Sequence, residues 1–174
     1  DWSSDVCSSD LEKVLGARLE DAKFFFNDDI SKPLEDYVEE LKGIIFQEKL
    51  GTLYDKTLRV QKLSEKIASY LETGEETEKN LARAAYLGKA DLVTKMVTEF
   101  TELQGVLGME YAKISGENEI VSLAIFEQYL PRFSGDKLPT TTAGSILSIA
   151  DKLDTIVGMF AINIQPTGSQ DPFA

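Results

Sequence analysis

Two aspartates mark the places where chemistry would be sought first. Asp91 lies in Lys89-Ala90-Asp91-Leu92, inside a long run with helical apolar spacing, and Asp151 lies in the heptapeptide IADKLDT, residues 149–155. Carboxylates in such settings could hold a hard cation such as magnesium or calcium, which prefers oxygen ligands. The usual partners of such a site are missing. The sequence contains no histidine, which excludes a Ser-His-Asp triad, a Cys-His pair and every metal site built on imidazole. Its single cysteine, Cys7, excludes an intrachain disulfide. Neither a GxxxxGK[ST] nor a GxGxxG phosphate loop is present. With 30 acidic residues among 174, some carboxylates must lie close together, so pairing alone is no argument for acid–base catalysis.

Positive charge is the second resource. A formal net charge of −12 opposes indiscriminate nucleic-acid binding through a basic face but leaves room for local basic groups. Lys49, Lys56, Arg59 and Lys62 form the densest such group. It can serve as a solvated helix face paired with nearby carboxylates, or it can meet a phosphate backbone.

The elements that must position these residues are helical. Leu15, Leu19, Ala22 and Phe26 place a helix over residues 14–28, and Phe24, Phe25 and Phe26 spread rings around it, so packing on two sides is expected. Pro33 opens a second helix, striped by Leu34, Tyr37, Val38, Leu41, Ile44 and Ile45. Thr52 is the expected N-cap of a third, with Asp55 three residues on. Leu81 begins a central helical run to Lys113 that Gly88 and Gly105 punctuate, Gly105 fitting a helix end at positive φ. Residues 117–129 form another helix, stopped by Pro131. A last one, capped within Thr140–Thr142, should bury Ile146, Ile149, Leu153, Ile156 and Phe160, with Asp151 at the edge of that face. No strand-like alternation of useful length occurs, and no apolar run approaches the ~20 residues needed to span a bilayer. The fold class is all-α, with about seven helices in an irregular or orthogonal bundle.

The two aspartate motifs carry a resemblance. AAYLGKADLVT (residues 84–94) resembles the helix bearing the His-Asp doublet of HD-domain phosphohydrolases, and IADKLDT resembles the later helix supplying their last aspartate. Aligned so, Asp91 keeps the acidic half of the doublet, Ala90 stands where its histidine should be, and Asp151 matches the final ligand. The resemblance implies an HD-like fold whose metal site has been dismantled, with Asp91 and Asp151 as vestigial positions and Lys89 as a replacement ion-pair partner for Asp91. The rival reading is a surviving metal-dependent phosphohydrolase.

A longer resemblance covers nearly the whole chain. ARLEDAKFFF (17–26), FQEKLGTLYDKT (46–57), KADLVTKMVTEFTELQGVLGMEYA (89–112), YLPRFSGDKLP (129–139), ADKLDT (150–155) and PTGSQDPFA (166–174) occur in this order. Together they resemble the β subunit of bacterial heterotetrameric glycyl-tRNA synthetase, departing at Gly16, where the family usually has arginine. The resemblance implies a cytoplasmic enzyme that joins glycine to its tRNA with ATP and magnesium through its α subunit. A β subunit then binds and positions tRNA, in company with α and a second β subunit and with no membrane. This chain is expected to be an internal, HD-like section, residues 11–163, inactive alone and binding no cofactor. Residues 164–174 are expected to lead into a further domain. Residues 1–10, DWSSDVCSSD, resemble a translated sequencing adapter and are expected to be an artefactual tail. On charge and loop placement, Lys49, Lys56, Arg59 and Arg132 are the expected tRNA contacts, and a purely structural spacer is the other alternative.

Overall fold

The computed structural model describes residues 2–164, with the side chains of residues 12–164. Most of the loop expected over 164–174 lies outside the described residues. Seven α-helices are present among them: α1 (Trp2–Asp29), α2 (Leu53–Tyr70), α3 (Glu75–Leu87), α4 (Lys95–Glu99), α5 (Val106–Ile114), α6 (Glu119–Glu127) and α7 (Thr142–Ala161). Short 3-10 turns lie at Leu34–Tyr37, Glu39–Gly43, Ala90–Val93 and Thr101–Leu103. A small antiparallel ribbon pairs β1 (Ile45–Gln47) with β2 (Gly51–Thr52). The protein is all-α, as the lack of strand periodicity requires.

Four helices make the core. α2 packs against α3 and α7, α3 against α6 and α7, and α6 against α7 and α5. The helices bring together Val60, Leu81, Ala84, Leu87, Val121, Ala124, Ile125, Ile146, Leu147 and Ala150, and the 3-10 turns add Leu34, Val38 and Leu41, all buried. Capping fixes where helices begin. The Thr52 hydroxyl accepts from the Asp55 amide while the Asp55 carboxylate accepts from the Thr52 amide, the reciprocal capping box expected from the sequence. Asn118 caps α6 and Thr141 caps α7 through their side-chain oxygens.

Several elements differ from the sequence expectation for definable reasons. α1 runs back to Trp2, so residues 2–10 are continuous with the helix expected only from Val14. It packs on one side rather than two: Ala22, Phe25 and Phe26 reach the core, whereas Val14, Leu15, Leu19 and Phe24 are exposed. The stripe after Pro33 is buried, but on 3-10 turns whose amides bond three residues back, Asp36 to Pro33, Val38 to Glu35 and Leu41 to Val38. Side chains three apart line up in that geometry as well as in an α-helix, so periodicity could not separate the two. The central run is not one helix. α3 starts at Glu75, with Glu76 and Glu78 also in its first turn, and ends at Leu87, where Gly88 is the C-cap. Gly105 has positive φ but stands at the N-terminus of α5 rather than closing a helix.

The largest rotation is in α7. Of the stripe expected to be buried, only Ile146 is; Ile149, Leu153, Ile156 and Phe160 are 41–52% exposed. A second apolar set, Ala143, Ile146, Leu147 and Ala150, takes the core side. The charged residues of the helix decide between the two faces, as the site makes plain.

Candidate functional site

The charged centre of the molecule lies where α2 crosses α7. Lys56 on α2 is 3% exposed. Its ammonium donates to the Thr155 hydroxyl at 2.7 Å, the Asp151 backbone oxygen at 3.2 Å and Asp154 Oδ2 at 3.3 Å, and lies 3.1 Å from Asp151 Oδ1. One turn on, Arg59 grips Asp154 with two prongs, Nε to Oδ1 at 2.7 Å and Nη2 to Oδ2 at 3.1 Å, and donates Nη1 to the Leu50 carbonyl at 2.7 Å. Carboxylates three apart on α7 thus face cations three apart on α2. Turning the other face of α7 inward would strand these charges without partners, which costs several kcal/mol per ion even after relaxation (~3–5 for a broken buried pair). Exposing a few aliphatic side chains costs less, and the helix is oriented by its ions.

Asp151 takes a second ammonium from the end of α3. Lys89 Nζ donates to Asp151 Oδ2 at 3.2 Å and lies 4.2 Å from the centroid of the Tyr129 ring. Lys89 therefore pairs with Asp151, not with its sequence neighbour Asp91. Burial would push the Asp151 carboxyl up, but the charges of Lys89 and Lys56 outweigh it and hold the group below the usual carboxylate range.

Asp91 is 1% exposed. One oxygen, Oδ2, accepts from the Gly105 amide at 2.6 Å, while Oδ1 has no hydrogen-bond partner among the described residues. Gly108 permits the approach, since a Cβ there would stand 3.0 Å from Asp91 Oδ2 and 2.9 Å from a methyl of Ile125. Burial raises the pKa of Asp91 against the pull of the Gly105 amide and the charge of Lys89. Tyr129 is raised well above its ordinary value by burial and by the charge of Asp91, with Asp151 adding to it. The two aspartates thus sit in one neighbourhood, around Lys89 and Tyr129, as the sequence motifs implied.

A divalent cation does not fit this donor set. Two carboxylates without the histidines make an incomplete HD-type shell, and Lys89 and Lys56 already put two positive charges against Asp151. Among the described residues, no group of three or more acidic or cysteine side chains comes together in a geometry that could hold a metal. At Asp151 a lysine ammonium occupies the side of the carboxylate that would face an ion.

Beside the centre opens a cleft of about 820 Å³, lined by Gln104, Gln128, Tyr129, Arg132, Asp151, Lys152 and Thr155 among others. Lys152 bends inward from α7 to donate to the Leu130 carbonyl at 3.0 Å and the Ser148 hydroxyl at 2.9 Å, and desolvation lowers its basicity. The four cations expected to meet tRNA face different surroundings. Lys49 is exposed in the turn between β1 and β2. Arg132 is exposed at the cleft, with its guanidinium 5.3 Å from the centroid of the Phe126 ring. Lys56 and Arg59 are paired with carboxylates across a helix crossing, Lys56 buried and Arg59 with 37% of its side chain exposed.

Sequence reasoning missed three polar anchors. Asp29, 2% exposed at the end of α1, accepts from the amides of Lys95 and Met96 and from the Tyr111 hydroxyl, each at 2.9 Å. Its carboxylate sits at the positive end of α4, and no local signal marks it. Arg83 on α3 bridges Glu35 and Glu117. Glu127, at the end of α6, accepts from the amides and hydroxyls of Thr140 and Thr141, fixing the segment that starts α7. The Thr140–Thr142 cluster was visible in the sequence; its partner was not.

Taken together, these residues form a helical module whose polar centre is closed by its own ion pairs. The family model described as glycyl-tRNA synthetase beta subunit matches residues 3–174. The chain is 63% identical over 163 residues to the glycine–tRNA ligase beta subunit of Clostridioides difficile (strain 630), covering 94% of this chain and 24% of that relative. It is 54% identical over 170 residues to the corresponding protein of Desulforamulus reducens and 50% over 171 residues to that of Trichodesmium erythraeum, each match covering 98% of this chain and 24% of the relative. The chain belongs to the glycyl-tRNA synthetase beta subunit family, and it spans about a quarter of the length of these curated relatives.

Proposed function

We propose that this chain is a non-catalytic helical section of a glycyl-tRNA synthetase β subunit that helps hold tRNA while a partner α subunit charges it with glycine. In this reading ATP and magnesium are used by the α subunit, the working enzyme is an α/β heterotetramer in the cytoplasm, and this section contributes rigidity and a little positive charge. The observation that carries the non-catalytic half is the Lys89–Asp151–Lys56 cluster. Cations tethered to the chain stand against the carboxylate that a metal phosphohydrolase of the HD type would need for its ion.

The tRNA half rests on Lys49 and Arg132, exposed cations free to meet phosphate, which is how helical elements engage RNA through backbone and shape. Lys56 and Arg59 support it indirectly by fixing α2 against α7. Charge reversal at Lys49 and Arg132 in the complete enzyme is expected to raise the KM for tRNA and to flatten its salt dependence, leaving the KM values for glycine and ATP unchanged. Unaltered tRNA kinetics would leave the section as a structural spacer, the second reading, which the closed ion-pair network favours. Magnesium- or manganese-dependent phosphoester hydrolysis abolished by Asp91→Asn would overturn both.

A further inference from the structure

α7 is a helix turned inside out. Between Ala143 and Ala161 every exposed residue is apolar: Ile149, Leu153, Ile156, Val157, Phe160 and Ala161. Its only charged residues over that span, Asp151, Lys152 and Asp154, all turn to partners within the protein. A helix facing water shows the reverse pattern. Ile149, Leu153, Ile156 and Phe160 also step by four, three and four residues, the spacing of a seam that receives another helix.

We propose that in the complete subunit this face is covered permanently by an apolar helix of the same polypeptide, from outside this 174-residue sequence. Three observations select that occupant. Relatives matching almost all of this chain are about four times its length (24% covered), so most of a family subunit lies elsewhere and is available as cover. The face carries no charge with which to steer or release a transient partner, and interfaces of such composition are obligate ones; a phosphate backbone would find no cation on it. The ion pairs with Lys56, Lys89 and Arg59 also prevent the helix from rotating its apolar side inward. A freshly folded subunit would therefore display five large apolar side chains, an aggregation hazard that a tethered segment removes without waiting for an encounter.

The test uses the full-length β subunit with Cys7 and any other cysteine replaced, and a single cysteine introduced by Leu153→Cys, Val157→Cys or, as an exposed control on α2, Glu65→Cys. Maleimide labelling of the isolated subunit, without α subunit or tRNA, is expected to be at least tenfold slower at 153 and 157 than at 65, at every protein concentration. Labelling as fast as the control overturns the proposal. So does protection that appears only when the α subunit is added, which would assign the face to that partner, or protection lost on dilution, which would assign it to a second copy. Should Leu153→Cys disturb folding, Ile149→Cys and Phe160→Cys probe the same stripe. None of these outcomes depends on whether Lys49 or Arg132 meets tRNA.

Discussion

Replacing Asp151 by asparagine removes one negative charge and leaves the shape of the side chain almost unchanged, so its effect can be worked from the surroundings. Two buried ammoniums face the carboxylate, those of Lys56 and Lys89, whose side chains are 4% and 9% exposed. Lys56 retains Asp154, the Thr155 hydroxyl and the backbone oxygen of residue 151. Among the described residues Lys89 retains the face of Tyr129 and the charge of Asp91, both already present in the intact protein. The cost is therefore that of stranding one buried cation, at the lower end of the ~3–5 kcal/mol for a broken buried pair. At about 1.4 kcal/mol per factor of ten, roughly a hundredfold faster hydrogen exchange is expected at the most protected amides of α7 in the full-length subunit. Asp151→Asn combined with Lys89→Met should recover most of the loss, because an apolar replacement of a buried pair is close to neutral. The pH dependence has a definite sign. The carboxyl of Asp151 is held below its ordinary range, so its contribution is complete above about pH 4, the unperturbed value. It disappears as the pH falls through the depressed one, and the intact and substituted proteins should converge in acid. Exchange rates unaffected by Asp151→Asn at pH 7, or a double variant no better than the single one, would refute the assignment of Lys89 to Asp151.

The opposite result is expected at Asp91. Burial raises its pKa, so its neutral form favours folding at low pH and that advantage is lost as the pH rises through the raised value. Asp91→Asn should therefore equal or exceed the parent in thermal stability at pH 8 and lose the associated pH dependence, as a melting series from pH 5 to 8 will show. Gly105→Ala should destabilise by about 1–3 kcal/mol, because φ is +79° there and the new Cβ would stand 2.5 Å from the Tyr129 ring; the melting temperature of the subunit's helical section reads it directly. Glu127→Gln puts an amide donor among four donors from Thr140 and Thr141. A loss of ~1–3 kcal/mol should appear as faster exchange at the Gly144 and Ser145 amides that begin α7, with α2 and α3 unaffected.

How far the sequence could be read depended on whether the physics was local. The capping box at Thr52 and Asp55, the helix stop before Pro131 and the positive φ of Gly105 each rest on neighbouring residues, and all are present. Burial of Leu34, Val38 and Leu41 was also legible, because apolar spacing reports a face whether the backbone is α or 3-10. The orientation of α7 was not, since it carries two apolar faces and the choice between them depends on Lys56, Arg59 and Lys89, up to 98 residues away along the chain. A separation of 62 residues likewise hid the true partner of Lys89. The matched spacing of Lys56 and Arg59 with Asp151 and Asp154 was in the sequence, but only the crossing of α2 and α7 turns it into contact. Asp29 and Glu127 are further cases: a carboxylate that satisfies backbone amides far away in sequence leaves no trace in its own neighbourhood.

The ammonium of Lys89 differs from a metal in one further respect. It is attached to the chain by four methylene groups and is present in every folded molecule, whatever the ions in solution. On the proposed non-catalytic reading, the centre needs no loading step and does not compete for magnesium. A chelator is then expected to leave the crossing of α2, α3 and α7 unchanged. In a subunit proposed to sit beside a partner whose reaction consumes magnesium-bound ATP, such a centre keeps its shape however that supply varies.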